Sequence, residues 1–126
     1  NKPKSIAPTV SESNTYQLDM PVITNFQTGN YDGSNDSLDI SGAWNGVNGA
    51  TSYLVNMIAP NGAKTTIDTT EFNQVFEDQT QIGFYRMTVS AKNSSLGYSS
   101  KTSSSGISIF PTVTFITPYI KNISIN

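Results

Sequence analysis

Between Leu38 and Met57 the chain places apolar residues at every second position, breaks off, and resumes the same spacing. Leu38, Ile40, Gly42 and Trp44 form the first row, and Tyr53, Val55 and Met57 the second. Successive side chains of a strand point to opposite faces, so each row lines the core side of a β-strand. Between the rows, Asn48-Gly49 supplies residues that accept a positive φ at a tight corner. A chain patterned in this way is committed to antiparallel sheet with Trp44 in its core. The pattern specifies an architecture and carries no chemistry of its own.

The same signals recur along the rest of the sequence. Strands are expected at 20–28, 37–44, 51–59, 63–69, 72–76, 83–93 and 106–110, separated by turns rich in Gly, Asn, Asp and Pro. Pro60-Asn61-Gly62 is a strong turn, because Pro presets φ and Asn-Gly accepts left-handed backbone. Pro21 confines the first strand to an edge or to its opening residues. Residues 29–36 read as a loop. Around 71–78, Phe72, Val75 and Phe76 also fit helical spacing, but the Thr-rich flanks favour a strand. Seven short strands so spaced predict an all-β, antiparallel two-sheet β-sandwich over residues 20–110. Its core would draw on Val22 or Ile23, Leu38, Ile40, Trp44, Tyr53, Val55, Met57, Ile67, Phe72, Tyr85, Met87, Val89, Ala91, Ile107 and Ile109. Residues 1–19 are polar, carry Pro3 and Pro8, and read as a linker or arm.

Two stretches resemble a known family. Trp44-x-x-Val47-x-Gly49-Ala50-x-x-Tyr53-x-Val55 is similar to the corner between the second and third strands of bacterial and phage fibronectin type III-like domains. Gly83-Phe84-Tyr85-Arg86-Met87-Thr88-Val89-Ser90-Ala91-Lys92-Asn93 resembles the family's strand Tyr-x-Val-x-Val-x-Ala-x-Asn, with Met87 in place of the first Val. Gly97-Tyr98-Ser99-Ser100 matches the exit from that strand. The resemblance covers roughly residues 20–110 and implies an immunoglobulin-like sandwich. It says little about function, because this fold hosts many unrelated roles.

Composition narrows the chemistry. The 126 residues include no His and no Cys, which removes the commonest acid–base group and metal ligand, the thiol nucleophile and any disulfide frame. Charged residues make up 13%, about half the usual share, while 17 Ser, 15 Thr and 13 Asn supply a neutral polar surface. That balance is common in extracellular and viral β-proteins. A net charge of −2 with seven scattered basic residues argues against nucleic acid as a partner. No apolar stretch approaches the ~20 residues of a membrane-spanning helix, and no leader-like segment opens the chain. The first residue is Asn1, which fits a mature chain or a piece of a longer one.

Carboxylates are the remaining catalytic candidates. Asp32, Asp36 and Asp39 cluster near one loop, and Glu71, Glu77 and Asp78 near another. A glycosidase needs two carboxyls facing each other across a cleft at about 5–10 Å, and nothing in the sequence sets up such a pair. Asp32-Gly33-Ser34-Asn35-Asp36 could wrap a hard cation such as Ca²⁺, with Asp39 beyond it, but the closing Glu of a full loop is missing. An ordinary turn held by Asx hydrogen bonds is the preferred account, so no metal or other cofactor is expected. Asn35, Asn93 and Asn122 begin Asn-x-Ser sequons of a kind that arises by chance in an Asn- and Ser-rich chain. Tyr16, Tyr31, Tyr98 and Tyr119 lie outside the core pattern and are the candidates for stacking a cell-surface glycan.

The most suggestive residues face away from the core. If Tyr53, Val55 and Met57 point inward, Leu54 and Ile58 point out, as does Phe84 on the strand that pairs with theirs in the family's fold. Such a patch marks a partner site or is covered by another part of the chain. Residues 111–126 continue past the expected sandwich as a β-rich extension in which Val113 and Phe115, then Ile123 and Ile125, alternate. That segment is expected to pair with the sandwich, a neighbouring domain or another chain. The expectation is a non-enzymatic structural and protein-interaction module of a larger extracellular or virion assembly. A phage tail or other virion component fits the resemblance best, with protein partners, self or neighbouring subunits. The alternative is a spacer or carbohydrate-binding module of a secreted bacterial enzyme or adhesin.

Overall fold

The computed structural model describes residues 16–110. Its elements are β1 (Ile23–Asp32), β2 (Ser37–Trp44), β3 (Ser52–Ile58), β4 (Lys64–Thr69), β5 (Asn73–Gln79), β6 (Gly83–Asn93), β7 (Tyr98–Ser99) and β8 (Ser103–Ile109). One sheet runs β1-β2-β5. The other runs β4-β3-β6, with β7 and β8 both paired to the far side of β6. Every pairing is antiparallel. No helix among the described residues is long and apolar enough to cross a membrane.

The core forms where the inward rows meet. β3 and β6 pair Tyr53 with Ala91, Val55 with Val89 and Met57 with Met87, all buried. From the other sheet come Phe26, Ile40, Trp44 and Phe76, with Ile40 directly opposite Phe76. Each fully buried apolar side chain of this size contributes about 1.5–3 kcal/mol. Gly42 lies in the inward row of β2 because Met87 fills the space above it; a Cβ there would collide with the Met87 sulfur and methyl. The sheets interlock through that methionine. At the two expected corners Gly49 and Gly62 adopt φ of 86° and 91°, the left-handed backbone that a tight turn requires.

Two tyrosines fix the ends of the core. The Tyr85 ring is fully buried, and its hydroxyl donates to the Gln81 carbonyl (2.7 Å) while accepting from the Gln81 N–H (3.0 Å). This is the tyrosine corner of immunoglobulin-like sandwiches. Burial pushes the Tyr85 phenol above its ordinary pKa. At the opposite end the Tyr53 hydroxyl accepts from the Val47 N–H (2.8 Å), holding the β2–β3 corner against the core. Trp44 packs on Tyr53 with ring centroids 6.0 Å apart. Its buried Nε1–H has no acceptor among the described residues.

Several expectations need correction. Phe72 is 51% exposed and stands just ahead of β5; its ring covers the Tyr53 ring edge-on at 5.7 Å and lies against Gly46. The inward residue of that strand is Phe76. Val22 is exposed, and Ile23 is half-buried against the core. β1 begins at Ile23 and runs on to Asp32, through residues expected to be loop. Register shifts near Ile23 and between Thr28 and Tyr31 break its alternation and hide it from a period-2 search. β8 starts at Ser103, its first half carrying no apolar residue. Leu18, in the segment read as an arm, is buried against the core, and the N–H groups of Gln17 and Leu18 both donate to the Ser99 carbonyl (3.1 and 3.2 Å).

Candidate functional site

The outer face of the larger sheet is built by the alternate residues of β3, β4, β6 and β8. β3 presents Ser52, Leu54, Asn56 and Ile58; register places them beside Asp68, Thr66 and Lys64 of β4 and Lys92, Ser90, Thr88 and Arg86 of β6. Thr66, Asn56 and Thr88 form a polar row across the middle. The Thr66 hydroxyl donates to Asn56 Oδ1 (2.6 Å), and Asn56 Nδ2 donates to Thr88 Oγ1 (3.4 Å). This row separates Leu54 from Ile58. Leu54 lies between Asp68 and Ser90, beside an ion pair from Lys92 Nζ to Asp68 Oδ2 (2.6 Å) that bridges over β3. The Lys92 hydrogen bond holds the Asp68 carboxyl below its usual range. An exposed pair of this kind adds little stability.

Ile58 belongs to a different neighbourhood. Together with Ala59, Pro60, Gly62, Gly83, Phe84 and Arg86 it lines a shallow groove at the end of the sheet. Phe84 is 55% exposed, and its ring leans over β8, where a Cβ on Gly106 would collide with it. A glycine on the neighbouring strand thus gives an outward aromatic ring a flat bed. The three expected residues therefore divide into an apolar corner of Ile58 and Phe84 and a half-buried Leu54 set among polar groups. The sequence carried the parity of these positions; the dividing Thr66–Asn56–Thr88 row depends on cross-strand register. Val113, Phe115, Ile123 and Ile125 lie outside the described residues.

The three aspartates do not converge. Asp32 closes an Asx turn: Oδ1 accepts from the Ser34 N–H (3.0 Å) and hydroxyl (2.7 Å), and Oδ2 from Asn35 Nδ2 (3.1 Å). The Ser34 hydroxyl is the main reason its pKa lies below the ordinary value. Asp36, at φ 54°, accepts from the Tyr31 hydroxyl (2.8 Å), and that bond keeps the phenol above its usual value. Asp39 turns to β5 and accepts from the Asp78 N–H (3.1 Å). Among the described residues no three His, Cys, Asp or Glu side chains are grouped to hold a metal ion.

The remaining candidates are tied into the scaffold or scattered over it. Asn93 is buried, with Nδ2 donating to the Gly49 carbonyl (2.9 Å) and Oδ1 accepting from the Leu96 N–H (3.2 Å). Its amide is occupied in joining two loops and is not presented to solvent as a glycan acceptor. Tyr16, beneath Lys101 Nζ at 5.9 Å, lies near the β7 end, whereas Tyr31 stands by the β1–β2 turn at the opposite end. Tyr119 lies outside the described residues.

No family model matches the chain, and no curated protein matches it. Solved structures share its architecture. A mutant form, FN3tt mut, superposes with a TM-score of 0.53 at 17% identity, covering 72% of this chain and 94% of that one. FN3tt itself gives 0.53 at 19% identity, covering 73% and 94%. With two antiparallel sheets, a tyrosine corner and these neighbours, the chain has a fibronectin type III-like β-sandwich fold.

Proposed function

We propose that this chain is a non-enzymatic structural and protein-interaction module of a larger extracellular or virion assembly, as in a phage tail. The observation that carries the reading is the corner of Ile58 and Phe84, an apolar ring and groove held open to solvent on a hydrogen-bonded sheet. Large exposed aromatics on rigid elements are typical anchors of protein contacts. The lack of His and Cys, and aspartates engaged in turns and backbone bonds, support a role without catalysis. The bacterial and phage resemblance and the sparsely charged surface support the virion setting. Separation of Tyr31 from Tyr16 and Tyr98 leaves the glycan-binding alternative with less support.

Antibodies against residues 16–110, used on a fractionated culture of the source, test this reading. The chain should sediment with particles or with an external surface layer. Recovery solely as a free cytoplasmic protein would refute it.

A further inference from the structure

The two sheets have four edges; β7 and β8 share one of them, and the strands at the other three carry features that discourage pairing with another chain. β4 has Lys64 and Asp68, β5 has Glu77 and Asp78, and β1 is broken by two register shifts and ends on Asp32. β8 has no charged residue and no proline, and its register with β6 runs unbroken from Ser103↔Val89 to Ile109↔Gly83. Among the described residues β8 pairs with β6 alone. Alternate backbone N–H and C=O groups along its other side have no strand partner among the described residues, although β1 of the other sheet approaches β8.

We infer that β8 is the edge through which a second copy of this chain pairs, antiparallel, about a two-fold axis at Gly106. The inference rests on the interaction-module reading above. A strand edge is self-complementary under a two-fold, since each copy offers donors and acceptors to the other. Gly106 is the midpoint of Ser103–Ile109, so an axis there pairs the whole strand. No charge on β8 repels its counterpart. The Phe84 ring lies over that same glycine, so the rings of the two copies approach each other at the axis and lose exposure together. In this register Ser104 faces Ser108 of the second copy. Ser105 faces Ile107, whose half-buried side chain gains cover.

Sedimentation velocity of the full chain over a concentration series should show a reversible dimer. Ser104 and Ser108 point outward and are exposed, so changing them leaves the core untouched. Ser104→Glu with Ser108→Glu sets like charges opposite each other twice and should weaken the dimer about tenfold at low salt. Ser104→Lys with Ser108→Glu sets opposite charges against each other and should restore it. A chain monomeric at millimolar concentration overturns the proposal, as does a dimer that both variants leave unchanged. A dimer seen only after removal of residues 111–126 also overturns it, because the chain's own tail is then the occupant. Fractionation of the culture decides the module reading separately.

Discussion

Trp44 offers a measurement in which two opposed effects can be separated. The side chain is 3% exposed and packed at a tilt against Tyr53, so Trp44→Ala opens a cavity at the point where β2 enters the corner. Truncations of this size cost about 3–5 kcal/mol. The same indole carries a buried N–H with no acceptor among the described residues, a destabilising feature of about 1–3 kcal/mol. Trp44→Phe keeps an aromatic ring against Tyr53 and deletes the orphan donor. It loses some volume, so the two terms offset, and the variant should lie within about 1.5 kcal/mol of wild type. Urea melts of all three chains, followed by far-UV circular dichroism because the only Trp is removed, give the comparison. An Ala variant that loses less than about 1 kcal/mol would show that Trp44 does not pack as described. A Phe variant as damaged as Ala would show that the indole N–H makes a bond that stabilises the fold.

Other outcomes follow from particular contacts. Tyr85→Phe removes a hydroxyl that both donates to and accepts from Gln81, and should cost about 1–2 kcal/mol in the same melts. Gly42→Ala drives a methyl into Met87 and should cost about 1–3 kcal/mol, partly relieved when combined with Met87→Ala. Asp32 and Asp68 have folded-state pKa values below the ordinary 3.8, so their stabilisation is present above that value and fades as pH falls through the lower folded value. Both carboxylates are exposed, so the melting temperature should hold from pH 7 to about 5 and fall only slightly below about 4 through these two groups. Asp32→Asn with Asp68→Asn should flatten that part of the acid limb. Deleting residues 112–126 should leave a cooperative melt, because the buried cluster of the described residues, from Leu18 to Ala91 with Ile107 and Ile109 packed on it, already spans both sheets; an unfolded product would mean the tail is part of the sandwich.

What the sequence made legible is the middle of each sheet. β2, β3 and β6 have neighbours on both sides, so their inward rows are mostly apolar and the alternation reads directly. The exception is Leu38, expected in the core, which is half-buried beside a register shift while Ser37 is buried in its stead. Edges are freer. The Ser-rich start of β8 and the bulged β1 bury little, so composition there is set by solvent and turn geometry and the period-2 signal is lost. Leu18 was out of reach for another reason, since its burial depends on a bond to Ser99, far along the chain. At the candidate site, side-chain parity gave Leu54, Ile58 and Phe84 correctly as outward. Their grouping depended on which residues β4 and β6 set beside them, and on Gly106 making room for a ring.

The Gln17 and Leu18 bonds to Ser99 fix where the chain enters the sandwich: at the end marked by Trp44 and Tyr98. β8 leaves at the other end, where Ile109 lies beside Gly83. Residues 17–18 and Ile109 thus stand at opposite ends of the strands, so a force applied between them acts along the strand direction. A pull along the long axis slides β8 past β6, so that the bonds between Ser103 and Ile109 resist together and are not peeled apart singly. The anchoring of two residues to one carbonyl thus bears on how the domain withstands stretching as well as on how it folds.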